Sequence, residues 1–150
     1  MNELMNDAKN ELKRVEHLFF VSLKYTRTVD VIRNVIERMI NAFTFSMDAL
    51  LKYAKQQKLI EEIPKAPRAK SDLIKELYPD DEKLNKYLEF YILLRDLKAA
   101  PYKKREEYRR HVTMISELTP GNFTEIDIDV LSEDLKKVHS FIEYITQMLP

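Results

Sequence analysis

The residues best suited to bind an anion form the basic segment Lys103–His111, which carries five Lys and Arg residues against two Glu residues. On a helix, Arg105 and Arg109 would lie one turn apart, and so would Lys104 and Tyr108. Two rows of cations with an aromatic ring between them could hold a phosphate backbone and stack a base. The segment therefore predicts an RNA or nucleotide surface made by Lys104, Arg105, Tyr108, Arg109 and Arg110.

The same segment also has a simpler interpretation as a solvated helix face. In that case Glu106 and Glu107 would neutralise Arg109 and Arg110, while Tyr108 would enter the core. Charge runs on helices usually serve solubility, so both interpretations stay open at the level of sequence.

The three histidines are isolated from one another and lack the short spacings of zinc ligands. His111 differs from His17 and His139 because cations surround it, and a proton on its ring could move near neutral pH during RNA chemistry. The carboxylates of Asp80–Glu82 suit the N-terminus of a helix better than a metal site. We therefore expect neither a metal nor a cofactor.

Length and composition predict one globular domain, 1–150. A chain of 150 residues that is 45% hydrophobic is too apolar to be disordered and long enough to bury a core. The 25 Lys and Arg residues balance 25 Asp and Glu residues, so a polyanion could be drawn only to a local patch. High Lys and Glu content without Cys is also typical of thermophilic proteins.

Several classes of site are excluded by missing residues. Without cysteine there are no disulfides, thiolate zinc sites or cysteine nucleophiles, which fits a reducing, cytoplasmic location. The only glycine is Gly121, whereas phosphate-binding glycine loops and dinucleotide fingerprints need two or three. Apolar runs are far too short to cross a bilayer, so no membrane partner is expected.

Apolar spacing predicts an all-α, antiparallel bundle of about five or six helices. The predicted helices cover about 2–25, 30–57, 71–77, a stretch that opens at 79–82 and ends before Pro101, 103–118, and a last helix after 129. Thr119–Asn122 is the strongest turn signal. Residues 123–129 alternate apolar and polar, and without a visible partner strand they are predicted as an extended strap across the bundle.

The order of these elements resembles that of the HEPN superfamily of small helical bundles over about residues 28–116. The similar features are a long second helix, a proline-broken loop, the helix Ser-Asp-Leu-Ile-Lys-Glu-Leu and a Tyr-rich helix that ends in Arg-Asp. Members of that superfamily end this helix with an arginine and a polar residue, followed by a histidine and often a tyrosine. Arg95, Asp96 and Tyr102 match this pattern, while Ala100 stands at the histidine position.

The resemblance implies a homodimer that binds RNA or a nucleotide without catalysis. Catalytic members cleave RNA without a metal, using the arginine and histidine of both subunits, and the missing imidazole at Ala100 argues against that activity. Other members resemble partner subunits of nucleotidyltransferases or antitoxin-like modules. Two alternatives stay open: a ribonuclease with His111 as general acid or base and Arg105 or Arg95 stabilising the transition state, or a purely structural, partner-binding subunit.

Overall fold

The computed structural model describes residues 2–150, which form helices and one three-stranded antiparallel sheet. The elements in chain order are α1 (Asn2–His17), a π-helical turn (Leu18–Ser22), α2 (Leu23–Tyr25), α3 (Val29–Gln56), α4 (Pro67–Leu77), α5 (Glu82–Ala99), β1 (Tyr102–Arg105), β2 (Thr113–Thr119), β3 (Asn122–Ile126) and α6 (Ile128–Met148). The fold is therefore mixed α/β, and the all-α prediction is wrong.

Helix α3 is the central element and packs against α1, α4, α5 and α6. Its start is capped by Thr28, whose Oγ1 accepts a hydrogen bond from the Val31 amide at 3.3 Å. Phe43, near its middle, stacks on Phe141 of α6 with ring centroids 4.2 Å apart. Apolar residues on more than one side of α3 are buried, as expected of a helix that packs against several neighbours.

The predicted helix ends are confirmed in some places and wrong in others. Asp81 caps α5 through a hydrogen bond from the Leu84 amide at 3.0 Å. Helix α4 begins at Pro67 rather than at Ser71, because proline is favoured in the first helical turn, where an amide hydrogen is not needed. Ser71 instead lies buried inside α4.

The predicted helix over 103–118 is instead β1, a loop and β2. β1 pairs with β2 so that Lys103 lies opposite Ile115, and β3 pairs with β2 so that Ser116 lies opposite Thr124. Val112, Ile115 and Leu118 fit a helical period, but β2 pairs with β1 and β3 and buries the alternating residues Met114 and Ser116 instead. The extended strap predicted over 123–129 is the strand β3 up to Ile126, while Asp127 caps α6 and residues 128–129 belong to that helix. A predicted helix over 103–118 leaves β3 without a partner strand, and β2 is that partner.

The sheet buries one face and exposes the other, while every residue of the edge strand β1 is exposed. Met114, Ser116 and Ile126 are buried, and the Ser116 hydroxyl donates to the Leu97 carbonyl of α5 at 3.2 Å. The opposite face carries Lys103 and Arg105, which are exposed. Because side chains alternate along a strand, Lys103 and Arg105 share one face while Lys104 lies on the other.

Candidate functional site: a cationic groove

The structure divides the predicted basic row between a strand and a loop. Arg105 on β1 forms an ion pair with Glu125 on β3. The Lys104 ammonium lies 3.7 Å from a carboxylate oxygen of Asp30 and 3.8 Å from one of Glu107. These two cations are already partly neutralised, and the two cationic rows expected on a helix do not form.

Tyr108, Arg109 and Arg110 lie in the connection between β1 and β2, which we call the 106–112 loop. The Tyr108 amide donates to the Arg27 carbonyl at 2.6 Å. Glu107 accepts a hydrogen bond from the Val29 amide at 3.0 Å, at the first residue of α3. The loop is therefore docked on the start of α3 by its own backbone and by one carboxylate.

This docked loop presents an aromatic ring to solvent. Tyr108 has φ 66° and its side chain is 77% exposed. A left-handed conformation is uncommon for a bulky residue and costs free energy. Arg109 and Arg110 are exposed and make no ion pair with any carboxylate among residues 2–150. The solvated-face interpretation is wrong in placing Tyr108 in the core.

The three residues of the ribonuclease hypothesis do not share a cavity. His111 and Arg110 line a cavity of about 180 Å³ beside Asp127 at the start of α6. Arg105 lies on the outer face of the sheet, bound to Glu125. Arg95 lines a different cavity, on α5.

That second cavity, which we call the cationic groove, lies between α3 and α5 and is closed by residues 65–70. Its volume is about 420 Å³. Four cationic side chains line it against the single carboxylate of Glu37; the cations are Lys65, Lys70, Arg95 and Lys98. Asn41 and Thr44 of α3 add neutral hydrogen-bonding groups. The groove therefore carries excess positive charge.

Two of its four cations are neutralised within the chain and two are not. Lys98 lies 3.0 Å from the Glu37 carboxylate, and Lys70 lies 2.7 Å from that of Asp48. Lys65 and Arg95 make no ion pair with any of the described residues. A guanidinium with free N–H donors suits a carboxylate or a phosphate, which it can bind through two parallel hydrogen bonds.

Arg95 is positioned by the aromatic side chain one turn earlier on α5. Its guanidinium carbon lies 5.8 Å from the ring centroid of Tyr91. The Tyr91 hydroxyl lies 3.1 Å from the Thr44 hydroxyl oxygen, so the ring is held against α3. Tyr91 is fully buried and Arg95 is half-buried, which places this unpaired charge at the wall of the groove.

The other residues of the HEPN-like motif stabilise the surroundings of the groove. Asp96 forms an ion pair with Arg68 of α4. Tyr102 lies under the guanidinium of Arg33 at 4.0 Å, and Arg33 also donates to the Lys98 carbonyl at 3.0 Å. These contacts tie α3, α4, α5 and β1 together around Arg95.

One face of α3 connects the groove to the 106–112 loop through two ion pairs and one cation–π contact. Asp30, Arg33 and Glu37 are spaced by three and four residues, and they contact Lys104, Tyr102 and Lys98 respectively. At 1.5 Å per residue, positions 30 to 41 of the helix cover about 17 Å. The groove and the loop therefore lie along one face of α3, on which Arg33 makes no ion pair with any described residue.

Sequence reasoning missed Lys65, Lys70 and Lys98 as site residues. Lys98 follows Arg95 by one helical turn, and Lys65 and Lys70 belong to the basic stretch around Pro67, so the charges themselves were visible. Their convergence depends on the packing of α4 and α5 against α3, which no local pattern reports.

No family model, curated protein or solved structure matches the chain. The HEPN resemblance therefore stays a prediction. Within residues 2–150, no helix is long and apolar enough to cross a membrane. In the same range, no group of three or more His, Cys, Asp or Glu residues is placed to hold a metal ion.

Proposed function

We propose that this protein binds the phosphate groups of RNA or of a free nucleotide in the cationic groove. The observation that supports the proposal most is Arg95, a half-buried guanidinium that has no carboxylate partner among residues 2–150. A buried or half-buried charge without a partner is costly unless a ligand supplies the opposite charge. The binding surface differs from the predicted basic helix because that segment is a strand and a loop.

The size and polarity of the groove fit one nucleotide. A volume of about 420 Å³ falls within the range of small-ligand sites. Lys65 and Arg95 would contact the phosphate, and the side-chain oxygen of Asn41, which accepts no hydrogen bond from a described residue, would bond a sugar or a base. Such a site selects the charged group first and leaves the identity of the base to a few polar contacts.

A longer single-stranded RNA would extend from the groove along the face of α3 that carries Arg33. From the groove it would pass Arg33 and Lys104 and reach the 106–112 loop, where Tyr108 offers an exposed ring for base stacking. Arg109 and Arg110 would add contacts to phosphates. Single-stranded RNA should therefore bind more tightly than a mononucleotide.

A titration followed by NMR tests the proposal. Adenosine monophosphate and a single-stranded RNA of about eight nucleotides would be added separately to ¹⁵N-labelled protein. The mononucleotide should shift the amide signals of Asn41, Thr44 and Arg95, and the RNA should additionally shift that of Tyr108. Shifts that avoid the groove in both titrations would contradict the proposal.

We do not extend the proposal to RNA cleavage. The residues that line the groove include no histidine, and His111 lines the cavity at the start of α6 instead. No specific contact favours the ribonuclease alternative over binding.

A further inference from the structure

A second cationic cavity lies where the end of α1 meets α3, and we call it the α1–α3 cleft. Its volume is about 300 Å³, and most of its wall is apolar. Four basic side chains and one leucine line it; they are Lys13, Arg14, His17, Leu18 and Arg38. The combination of cations with an apolar wall differs from the polar lining of the cationic groove.

The arginines of the cleft are held by a buried carboxylate. Glu11 is 4% exposed and accepts hydrogen bonds from Nη1 of Arg14 at 2.5 Å and from Nη1 of Arg38 at 3.2 Å. The side-chain Nδ2 of Asn41 donates to the same carboxylate at 3.4 Å. Glu11 thus limits the positions that both guanidinium groups can take. Residues of a binding site need such neighbours to hold them in place.

Each of these arginines keeps unused donors. In both side chains only Nη1 contacts Glu11, and Nε and Nη2 make no hydrogen bond to any residue in 2–150. Lys13, Arg14 and Arg38 carry three positive charges against the one negative charge of Glu11. An anion can therefore bind here without displacing the internal ion pairs.

Apolar surface continues from the cleft along the π-helical turn. Leu18 begins this turn, and its carbonyl accepts a hydrogen bond from the Leu23 amide. Phe20 is 60% exposed and Val21 is 41% exposed. No acidic residue occurs between Glu16 and Asp30, so the π-helical turn itself carries no negative charge. Turns of this kind occur frequently at functional sites.

We propose that the α1–α3 cleft binds a free amphiphilic carboxylate, of the type of a medium-chain fatty acid. The carboxylate accepts hydrogen bonds from Arg14 and Arg38, whose planar donors match its two oxygens. The hydrocarbon chain covers Leu18 and extends towards Val21, which removes apolar surface from water. This site is separate from the cationic groove, and its occupancy does not depend on nucleotide binding.

Calorimetric titration with octanoate tests the assignment, with octanol as the uncharged probe of equal chain length. Octanoate should bind the full chain at least about tenfold more tightly than octanol, a difference of about 1.4 kcal/mol. Lys13→Gln and Arg14→Gln should each weaken octanoate binding several-fold. Lys136→Gln removes an exposed cation from α6 and should leave the affinity unchanged.

Protein stability must be followed beside the binding, because Arg14 bonds the buried Glu11. Lys13 makes no ion pair with any described residue, so Lys13→Gln should keep the wild-type unfolding temperature. Equal affinities for octanoate and octanol would overturn the proposal, and so would unchanged octanoate binding by both cleft variants. Binding to phosphatidylglycerol vesicles without binding to monomeric octanoate would also overturn it, because the cleft would then be a membrane contact.

Discussion

The hydroxyl of Tyr144 on α6 donates to the carboxylate of Asp81, and it lies 2.7 Å from each of the two carboxylate oxygens. Asp81 also caps α5, the helix that carries Arg95, through the Leu84 amide. One carboxylate thus joins the start of α5 to α6. The hydrogen bond to Asp81 is the main reason that the pKa of Tyr144 rises to about 12.

Replacing Tyr144 with Phe should destabilise the protein by about 1–2 kcal/mol, because the bond to a charged acceptor is lost. Urea unfolding followed by circular dichroism measures this change, and hydrogen exchange should become faster at the first amides of α5. Tyr25→Phe is a matched control, since Tyr25 is 79% exposed and its hydroxyl bonds no described residue. Equal stabilities of Tyr144→Phe and the wild type would show that the bond does not secure α5.

Asp134 on α6 makes the stability of the protein depend on pH. It is 8% exposed, and burial raises its pKa from 3.8 to about 6, a rise that Lys137 partly opposes. The folded state therefore holds this proton more tightly than the unfolded state does. The contribution of protonated Asp134 to the free energy of unfolding is fully present below pH 3.8 and is lost as the pH rises through about 6. A shift of about two pKa units corresponds to about 3 kcal/mol.

The Asp134→Asn variant tests this dependence. Because it removes the charge that is buried at neutral pH, it should be more stable than the wild type at pH 7. It should also lack the decrease in stability between about pH 4 and pH 6. Urea unfolding at several pH values measures both effects, and Asp129→Asn serves as the exposed control on the same helix. A wild-type pH profile in Asp134→Asn would assign the dependence to other groups.

Gly121 permits the tight turn between β2 and β3. Its φ is 77°, and a Cβ atom added there would meet nothing within 4 Å. Gly121→Ala should therefore lower the free energy of unfolding by about 1–2 kcal/mol through backbone strain alone. Gly121→Asn should cost less, because asparagine tolerates this conformation better. Thermal unfolding of both variants measures the difference, and equal unfolding temperatures for all three proteins would argue against strain at this turn.

The sequence predicts the helices well wherever capping and apolar spacing agree. Thr28 and Asp81 are capping residues of the expected type, and each caps the helix that follows it. The prediction fails between Pro101 and Thr119, where Val112, Ile115 and Leu118 suggest a helix. Met114, Ser116 and Ile126 are buried because this face of the sheet packs on α3, α5 and α6, which local spacing does not encode.

The candidate site could be predicted only in part for the same reason. Arg95 was identified through a resemblance in a short motif, and the structure places it in a groove. Lys65 and Lys70 come from a different part of the chain and reach that groove only because α4 packs on α3. Conversely, Arg105 was predicted to be available to an anion, but it is bound by Glu125.

Tyr108→Ala should distinguish RNA binding from nucleotide binding. Loss of one stacked base should weaken the binding of single-stranded RNA by about 1–3 kcal/mol. Binding of adenosine monophosphate should stay unchanged, because the mononucleotide occupies the groove and not the loop. Fluorescence competition measures both affinities, with Phe123→Ala as an exposed aromatic control on the sheet. Unchanged RNA affinity in Tyr108→Ala would remove the 106–112 loop from the binding surface.

The most direct test of the central claim is the affinity for single-stranded RNA of the Lys65→Gln, Arg95→Gln double variant, measured by fluorescence anisotropy over a range of salt concentrations. Losing two phosphate contacts should lower the affinity at least about tenfold. The plot of the logarithm of the association constant against the logarithm of the salt concentration should become less steep by about 1.4. The Lys136→Gln, Lys137→Gln variant removes the same charge from α6 and should bind like the wild type. Equal affinity and equal slope in the wild type and the groove variant would contradict phosphate binding in the cationic groove.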